Sequence, residues 1–238
     1  HAKVDQKGVE TQREVVKEER RQRYENQPYG TFYPESMARA FTKHPYRWTP
    51  IGSMEHLNAA KEADYQNFYK DFYVPNNAVL SIAGDLDIEA TKKMVHKYFS
   101  TIPKGTKPIY RPDIVDAPIT SEIRDTVFDN IQLPGVIQSY RAPAQGTADH
   151  YAVSMLAQLL SKGQSSRLYS ALVDNQQKAV SAGSFPVQGE DPGINIVFAI
   201  ANMGVDAADL IKSIDAEFQF KIKDDLRRLY QIHKETCN

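Results

Sequence analysis

The chain has 238 residues, of which 41% are hydrophobic and 25% are charged, so it is long enough to bury one large core or two ordinary ones. Its 29 basic and 30 acidic residues leave a formal net charge of -1, which excludes the strongly basic field of a nucleic-acid-binding protein and offers no attraction to an anionic membrane surface. No apolar run is long enough to span a membrane, and the single cysteine, Cys237, excludes an intrachain disulfide and a cysteine-rich zinc site.

The first predicted element is a charged helix over residues 3–25, which the motif "NQPYG" ends. In its segment "QREVVKEER", Glu19 lies four residues after Val15 and three after Val16, and residues at these spacings share a helix face. Gln12 holds the mirror position before the valines. Of the other residues, Glu18 is predicted at the edge of this stripe, and Arg13, Lys17 and Arg20 are predicted to point elsewhere. A carboxylate on an apolar stripe needs a partner, and both an ion pair with Arg23 and a metal ion satisfy that need.

The rest of the first half reads as helices around one strand. The loop "HPYRWTPIGS" ends at Ser53, a predicted N-cap, and the next helix carries apolar residues from Leu57 to Phe72. The apolar run Ala78–Ala83 predicts a strand, and Asp87 is predicted to cap the helix after it. The segment "PKGTKPIYRPD" combines proline, glycine and lysine without periodicity, which indicates a linker.

The second half mixes strands and helices. Strands are predicted in "EIRDTVFD", "VIQSYRAP", "SAGSFPV" and "INIVFAIAN", and in the last of these the large apolar residues fill one face and smaller residues mostly the other. Helices are predicted over about 148–161, after a cap at Ser165, and from near Asp206. This arrangement predicts an α+β protein whose helices pack on a sheet.

No catalytic constellation is visible in the residues alone. The chain contains neither a nucleotide-binding glycine loop nor a GxSxG elbow, and Ser165 and Ser166 are better explained as helix caps than as nucleophiles. None of the six histidines belongs to an HExxH or HxxEH motif. His44 lies in a rigid aromatic loop, but nothing in the sequence pairs it with an acid.

Several segments together resemble the pitrilysin/insulinase family of zinc metallopeptidases, the inverzincins. "QREVVKEER" resembles the family helix of the form ExxVVxEE that follows HxxEH, and "HPYRWTPIGSMEHL" resembles the loop after it. "FYVPNNAVLSIAGDLDIEATKKMVHKYFSTIPKG" resembles the most characteristic stretch of the first family domain, and "LLSKGQSSRLYSALV" resembles a second-domain signature. The matches occur in the family order over most of the chain, which makes the resemblance to the family specific, and the branch that the chain resembles is the bacterial, processing-peptidase-like one.

The resemblance implies a fold and a division of the chain. Family members are α+β proteins with tandem domains, each a mostly antiparallel sheet with helices packed on one face. Residues 1–107 are then expected to be the C-terminal part of the first, zinc-site domain. Residues 108–238 are expected to be the first part of a second, homologous domain, and the chain is expected to be a fragment.

The resemblance also implies site residues. Glu19 occupies the position of the third zinc ligand, and Gln12 stands where the family usually has a glutamate that hydrogen-bonds a zinc ligand. HxxEH is absent from the chain, so the histidine ligands and the glutamate general base are not supplied by it. Val173 and Val180 stand at the positions where active members often carry a substrate-binding Arg and Tyr.

The function implied is that of a fragment of a zinc-dependent metalloendopeptidase. Such an enzyme hydrolyses peptides or unstructured polypeptide in an enclosed chamber, with a zinc-bound water that a glutamate outside this chain activates. The expected partners are a peptide substrate and a second family domain pair or partner subunit, as a homo- or heterodimer. The alternatives are a non-catalytic structural or partner subunit of the same family, and a peptide-binding α+β module outside it. The chain alone is expected to bind no catalytic zinc and to have no peptidase activity, and its compartment, bacterial periplasm or cytoplasm, stays open.

Overall fold

The computed structural model of the chain describes residues 3–220, so Cys237 lies outside the described residues. The chain divides into two compact units. The first contains the residues up to Arg21 together with Ile51–Ile114, and the second contains Gln22–Pro50 together with the residues from Val115 onward. The prediction of homologous domains over 1–107 and 108–238 stays a prediction; the compact units differ from it because Gln22–Pro50 packs with the later residues. No helix in the described part is long and apolar enough to cross a membrane.

The regular elements begin with five helices, and all three strands lie in the second half of the chain. In chain order they are α1 (Gln6–Arg20), α2 (Phe32–Ala40), α3 (Met54–Ala59), α4 (Glu62–Phe72), α5 (Ile88–Phe99), β1 (Gly135–Ala142), α6 (Ala148–Ser161), β2 (Ala179–Val187), β3 (Gly193–Ala201) and α7 (Ala207–Phe220). Two π-helical segments add to these, Arg21–Glu25 directly after α1 and Tyr169–Asn175 before β2.

The predicted helix caps of the first unit are confirmed. Ser53 accepts a hydrogen bond from the His56 N–H, and Asp87 accepts one from the Ala90 N–H. The helix predicted from Leu57 to Phe72 is divided into α3 and α4, because Ala60 has extended backbone between them. The predicted strand Ala78–Ala83 is wrong: these residues have no regular secondary structure, and the described part of the first unit contains no strand.

The second unit is built on an antiparallel sheet of order β1-β3-β2. Strand β3 pairs with both neighbours, so that Val197 lies opposite Gln138 on β1 and opposite Ser184 on β2. This confirms the α+β class, the antiparallel sheet and three of the predicted strands. The strand predicted in "EIRDTVFD" is wrong, because this segment has irregular backbone and pairs with no other strand of the described part.

Both faces of the sheet are covered. On one face, Val197, Ala199 and Ala201 pack against α6, α7 and the segment Tyr169–Asn175, and their core cluster is completed by Val136, Leu160, Leu168, Leu172, Ala179, Leu210 and Ile214. On the other face, Ile194 and Ile196 pack with residues of α2 and with Phe41. Val197, Ala199 and Ala201 are small enough to let the helices approach the sheet closely, and they are as fully buried as Ile194 and Ile196 on the other face.

Two local features of this unit differ from the expectation. Helix α2 was not predicted, and it forms the cover of the second sheet face. The predicted cap at Ser165 is wrong, because Ser165 lies in a turn and the helix begins only at Arg167. The Ser166 hydroxyl is buried without a hydrogen-bond partner in the described part.

Candidate functional site

Helix α1 carries Glu19 and is held at both ends. The Asp5 side chain caps it by accepting a hydrogen bond of 2.8 Å from the Gly8 N–H. The Arg13 guanidinium donates to the carbonyl oxygens of Leu57 and Ala60 at the C-terminal end of α3. Near the other end, Arg20 Nη1 donates to the Gly52 carbonyl oxygen at 2.8 Å. Arginine suits helix C-terminal carbonyls, because these oxygens carry partial negative charge and lack helical partners.

These contacts correct the predicted face of α1 in part. Val9 and Arg13 are buried, and Arg20 and Val16 are half-buried, whereas Val15 is 53% exposed and Gln12 is exposed. Glu19 is half-buried. The prediction missed Arg13 because an arginine stem can pack on apolar surface while its guanidinium group reaches backbone carbonyls, which an apolar stripe in the sequence does not reveal.

The described residues do not form a zinc site by themselves. No group of three His, Cys, Asp or Glu side chains in the described part is arranged to hold a metal ion, whereas a catalytic zinc takes three protein ligands. The role of Glu19 as a ligand therefore stays a prediction. Val173 packs partly buried against the core of the second unit, and Val180 on β2 is 47% exposed.

A buried carboxylate in the second unit accepts several hydrogen bonds. The Asp116 side chain is 1% exposed and accepts hydrogen bonds from the start of the loop after α2. Its Oδ1 accepts from the Thr42 N–H at 2.8 Å, the Thr42 hydroxyl at 2.6 Å and the Lys43 N–H at 2.9 Å. Its Oδ2 accepts from the His44 N–H at 2.7 Å. We call these residues, Thr42, Lys43, His44 and Asp116, the Asp116 cluster.

The charge of Asp116 is stabilised by these donors. Burial opposes ionisation and raises the pKa of the carboxyl, but the bonds from the Thr42 hydroxyl and from the three backbone N–H groups outweigh it, so the pKa lies well below its ordinary value. Arg141 lies on the same side, with Nη2 3.9 Å from Asp116 Oδ1 and its guanidinium 4.1 Å from the centre of the Phe41 ring. Burial lowers the pKa of Arg141, and the Asp116 charge opposes that shift.

His44 has an acidic partner that sequence reasoning missed. Its ring is buried, with Nε2 3.2 Å from Asp191 Oδ2, and its Nδ1 accepts the Tyr46 N–H at 3.1 Å. This network assigns the proton to Nε2, which donates to the carboxylate. Because both ring nitrogens are engaged, the pair joins two loops and leaves no free nitrogen for general-base work. No local spacing could have indicated the pair, since 147 positions separate the two residues.

The comparison with known families decides the identity of the chain at family level. The family model described as "Peptidase M16 inactive domain" matches residues 60–228, which is more than half of the chain. The chain belongs to the M16 peptidase family. This confirms the resemblance to the pitrilysin/insulinase metallopeptidases, and it excludes the hypothesis of a peptide-binding module outside that family.

Relatives and solved structures agree with M16 membership. A relative from Helicobacter pylori named zinc protease PqqE is 32% identical over 207 residues, a match that covers 86% of this chain and 47% of the relative. The crystal structure of a protease from Helicobacter pylori has 28% sequence identity and a TM-score of 0.80, covering 98% of this chain and 58% of that chain. The structure of a peptidase M16 inactive domain from Pseudomonas fluorescens shares the fold, with a TM-score of 0.71 at 16% identity over 92% of this chain and 52% of that chain.

The chain spans about half the length of the curated M16 relatives it matches. Several of these relatives are named zinc proteases. Zinc is therefore a cofactor suggested for the family, while the family model that matches this chain is described as the inactive domain.

Proposed function

We propose that this chain is one part of an M16 zinc metalloendopeptidase and that Glu19 is its contribution to the zinc site. The observation that carries the proposal is the place of Glu19, half-buried near the end of α1 and two residues before the π-helical turn Arg21–Glu25 begins. Single π-helical turns occur frequently at functional sites. A carboxylate oxygen is an ordinary zinc ligand.

The anchoring of α1 supports this role. A metal ligand must be held by an element that does not move, because a displaced ligand weakens the site. Asp5 caps α1, and Arg13 and Arg20 attach it to backbone carbonyls of its own unit. Since successive residues of a helix are rotated by about 100°, Glu19 lies on a side of α1 adjacent to that of Arg20.

The remaining parts of the site would come from outside these residues. Glu19 supplies one ligand, and the sequence contains no HxxEH motif that would supply two histidines and a general base. No step of hydrolysis follows from the described residues alone. Gln12, seven residues before Glu19, carries an amide that can hydrogen-bond a neighbouring ligand without adding charge. The substrate class we propose is a peptide or unstructured polypeptide, enclosed with the help of a second domain pair or partner subunit.

A non-catalytic subunit of the same family is the second candidate. It is favoured by the description of the matching family model as an inactive domain. It is also favoured by Val173 and Val180, whose apolar side chains can neither bind a carbonyl oxygen nor stabilise a developing negative charge.

Zinc content separates the two candidates. We would measure it by elemental analysis of the complete gene product, of its Glu19→Gln variant and of Glu18→Gln as the matched control, since Glu18 is an exposed glutamate one residue away. The proposal expects about one zinc per chain in the wild type and in Glu18→Gln. It expects Glu19→Gln to hold far less than one zinc per chain, because loss of a direct ligand costs more affinity than the roughly 10–100-fold that loss of a group hydrogen-bonded to a ligand costs. The 238-residue chain alone is expected to hold no stoichiometric zinc.

Two results would overturn the proposal. The first is the absence of zinc from the complete gene product, which supports the non-catalytic subunit. The second is zinc that Glu19→Gln and Glu18→Gln retain equally, which assigns the ligand elsewhere.

A further inference from the structure

We propose that His44 is a pH-sensitive latch, whose protonation opens the short turn Pro45–Arg47 and moves the exposed Trp48 at its end. We call this turn the Pro45 turn. The latch belongs to the second unit, and it rests neither on zinc nor on the role proposed for Glu19. It goes beyond the proposed function because it predicts that mild acid changes the conformation of one loop while the unit stays folded.

The imidazole of His44 holds the Pro45 turn closed. Its Nδ1 accepts the Tyr46 N–H at 3.1 Å, so the ring serves as the N-cap of the turn. A cap must present a lone pair, and Nδ1 has one only in the neutral imidazole whose proton is on Nε2. Protonation adds a hydrogen at Nδ1 and places two N–H donors against each other, so this bond is lost.

The buried ring is held from its other side, so the turn is the part that yields. Nε2 lies 3.2 Å from Asp191 Oδ2, and this contact becomes an ion pair when the ring is charged. The His44 N–H donates to Asp116 Oδ2 at 2.7 Å, which fixes the backbone that carries the ring. Asp116 keeps its charge in mild acid, since the pKa of its carboxyl lies well below the ordinary value.

Charged groups surround the ring from several elements, but none of them replaces the lost cap. In the described part they are Asp191 between β2 and β3, Asp116 before β1, Arg141 near the end of β1, and Lys43 and Arg47 on the loop of the ring itself. The two carboxylates attract an imidazolium. The guanidinium of Arg141 repels it, from a position 4.1 Å from the centre of the Phe41 ring, which lies 5.6 Å from the centre of the imidazole. Lys43 and Arg47 are exposed, so water and salt screen their charges.

Opening of the Pro45 turn also disturbs the loop that carries Asp191. The Tyr46 hydroxyl accepts the Asp191 N–H at 3.2 Å, and it lies against Gly189, where the Cβ of any other residue would overlap it. Within the turn, the Trp48 N–H donates to the Pro45 carbonyl oxygen at 3.1 Å. Because Tyr46 takes part in both arrangements, a displaced Tyr46 backbone moves Trp48 and weakens the contact with Asp191.

Fluorescence of Trp48, the single tryptophan, reports the opening. Emission of the 238-residue chain would be recorded between about pH 8 and about pH 5, the range in which histidines usually titrate. The imidazole C–H resonances would be followed by NMR in the same samples, with His44 assigned by its absence from a His44→Asn spectrum. The inference expects the emission to change in one step, whose midpoint coincides with the titration of His44.

The variant His44→Asn separates capping from titration. Asparagine is a preferred N-cap whose side-chain oxygen can accept the Tyr46 N–H, and it does not titrate in this range. The emission step should be lost in this variant, with emission at the high-pH value throughout. His56→Asn is the matched control, because His56 is exposed on α3, and it should keep the step at the same midpoint.

A second measurement needs no variant. Protection of the wild-type Tyr46 amide against hydrogen exchange, corrected for the intrinsic effect of pH, should fall at least about 10-fold once His44 is protonated. Far-UV circular dichroism should stay constant across the step, and a loss of helix signal would show unfolding instead of a local opening.

Three outcomes would overturn the inference. The first is titration of His44 without a change in emission or in protection of the Tyr46 amide. The second is an emission step that persists in His44→Asn, which would assign it to another group. The third is an imidazole that stays neutral down to about pH 5 in the folded chain. None of these results depends on zinc content, so failure of this inference and failure of the proposed function are separate results.

Discussion

The substitution Asp116→Asn tests whether the buried carboxylate stabilises the second unit. Asparagine keeps the shape of the side chain but removes its charge and replaces one acceptor oxygen by an NH2 group. If the amide nitrogen takes the place of Oδ2, two donors face each other, and the His44 N–H is left without an acceptor.

The size of the effect follows from the lost hydrogen bonds. One buried N–H without an acceptor costs about 1–3 kcal/mol, and each bond to Oδ1 loses roughly 1 kcal/mol when its acceptor is no longer charged. The gain from no longer burying a charge offsets part of this sum. We expect a net loss of about 2–4 kcal/mol in the free energy of unfolding, which corresponds to a fall in Tm on the order of 10 °C.

Urea unfolding followed by tryptophan fluorescence measures this change. Trp48 is the single tryptophan, and it belongs to the second unit close to the Asp116 cluster in sequence. The matched control is Asp113→Asn, which makes the same charge change at an exposed carboxylate without a hydrogen bond in the described part. We expect it to stay within about 0.5 kcal/mol of the wild type.

The pH dependence gives a second check. Because the pKa of Asp116 is lowered in the folded state, its contribution is complete above the ordinary carboxyl pKa of about 3.9 and is lost as pH falls through the lower folded value. The stability difference between wild type and Asp116→Asn should therefore be constant near neutral pH and shrink in acid below about pH 4. A difference under about 0.5 kcal/mol at pH 7, or one equal to that of Asp113→Asn, would refute the reasoning.

Two further substitutions test the elements that surround the sites. Gly193→Ala, at the start of β3, should destabilise the second unit by about 2 kcal/mol or more in the same urea assay, because the added methyl group would overlap the carbonyl oxygen of Val187 at the end of β2. An unchanged urea midpoint would contradict this packing. Arg13→Ala should make α1 several-fold more susceptible to a glutamate-specific protease, since it removes the bonds to the Leu57 and Ala60 carbonyls. The control Lys7→Ala, at an exposed position of the same helix, should leave the cleavage rate unchanged, and equal rates in both variants would refute the anchoring role of Arg13.

Elements whose signals are local could be predicted from the sequence. The extent of the first helix, the caps at Ser53 and Asp87, and helix α6 follow from periodicity and capping residues within a few positions of one another. The same holds for β1, β2 and β3, whose apolar runs predicted strands and which pair with one another in the sheet. The segments that indicated the M16 family are likewise contiguous stretches of sequence.

Features that depend on distant partners were decided by the tertiary structure. Ala78–Ala83 and β3 have similar apolar runs, yet only β3 is a strand, because strand formation requires a neighbour that sequence periodicity does not reveal. The burial of Arg13 on α1 was set by carbonyls more than forty residues away, which accept its hydrogen bonds and which the Val15–Val16 stripe does not reveal. The hydrogen-bond partners of His44 and Asp116 could not be predicted from the sequence either, because the folded backbone decides which loops come within hydrogen-bond distance. The sequence by itself thus determined the local helices, their caps and the family, while the tertiary structure decided which strands pair, which helix face is buried and which charges meet.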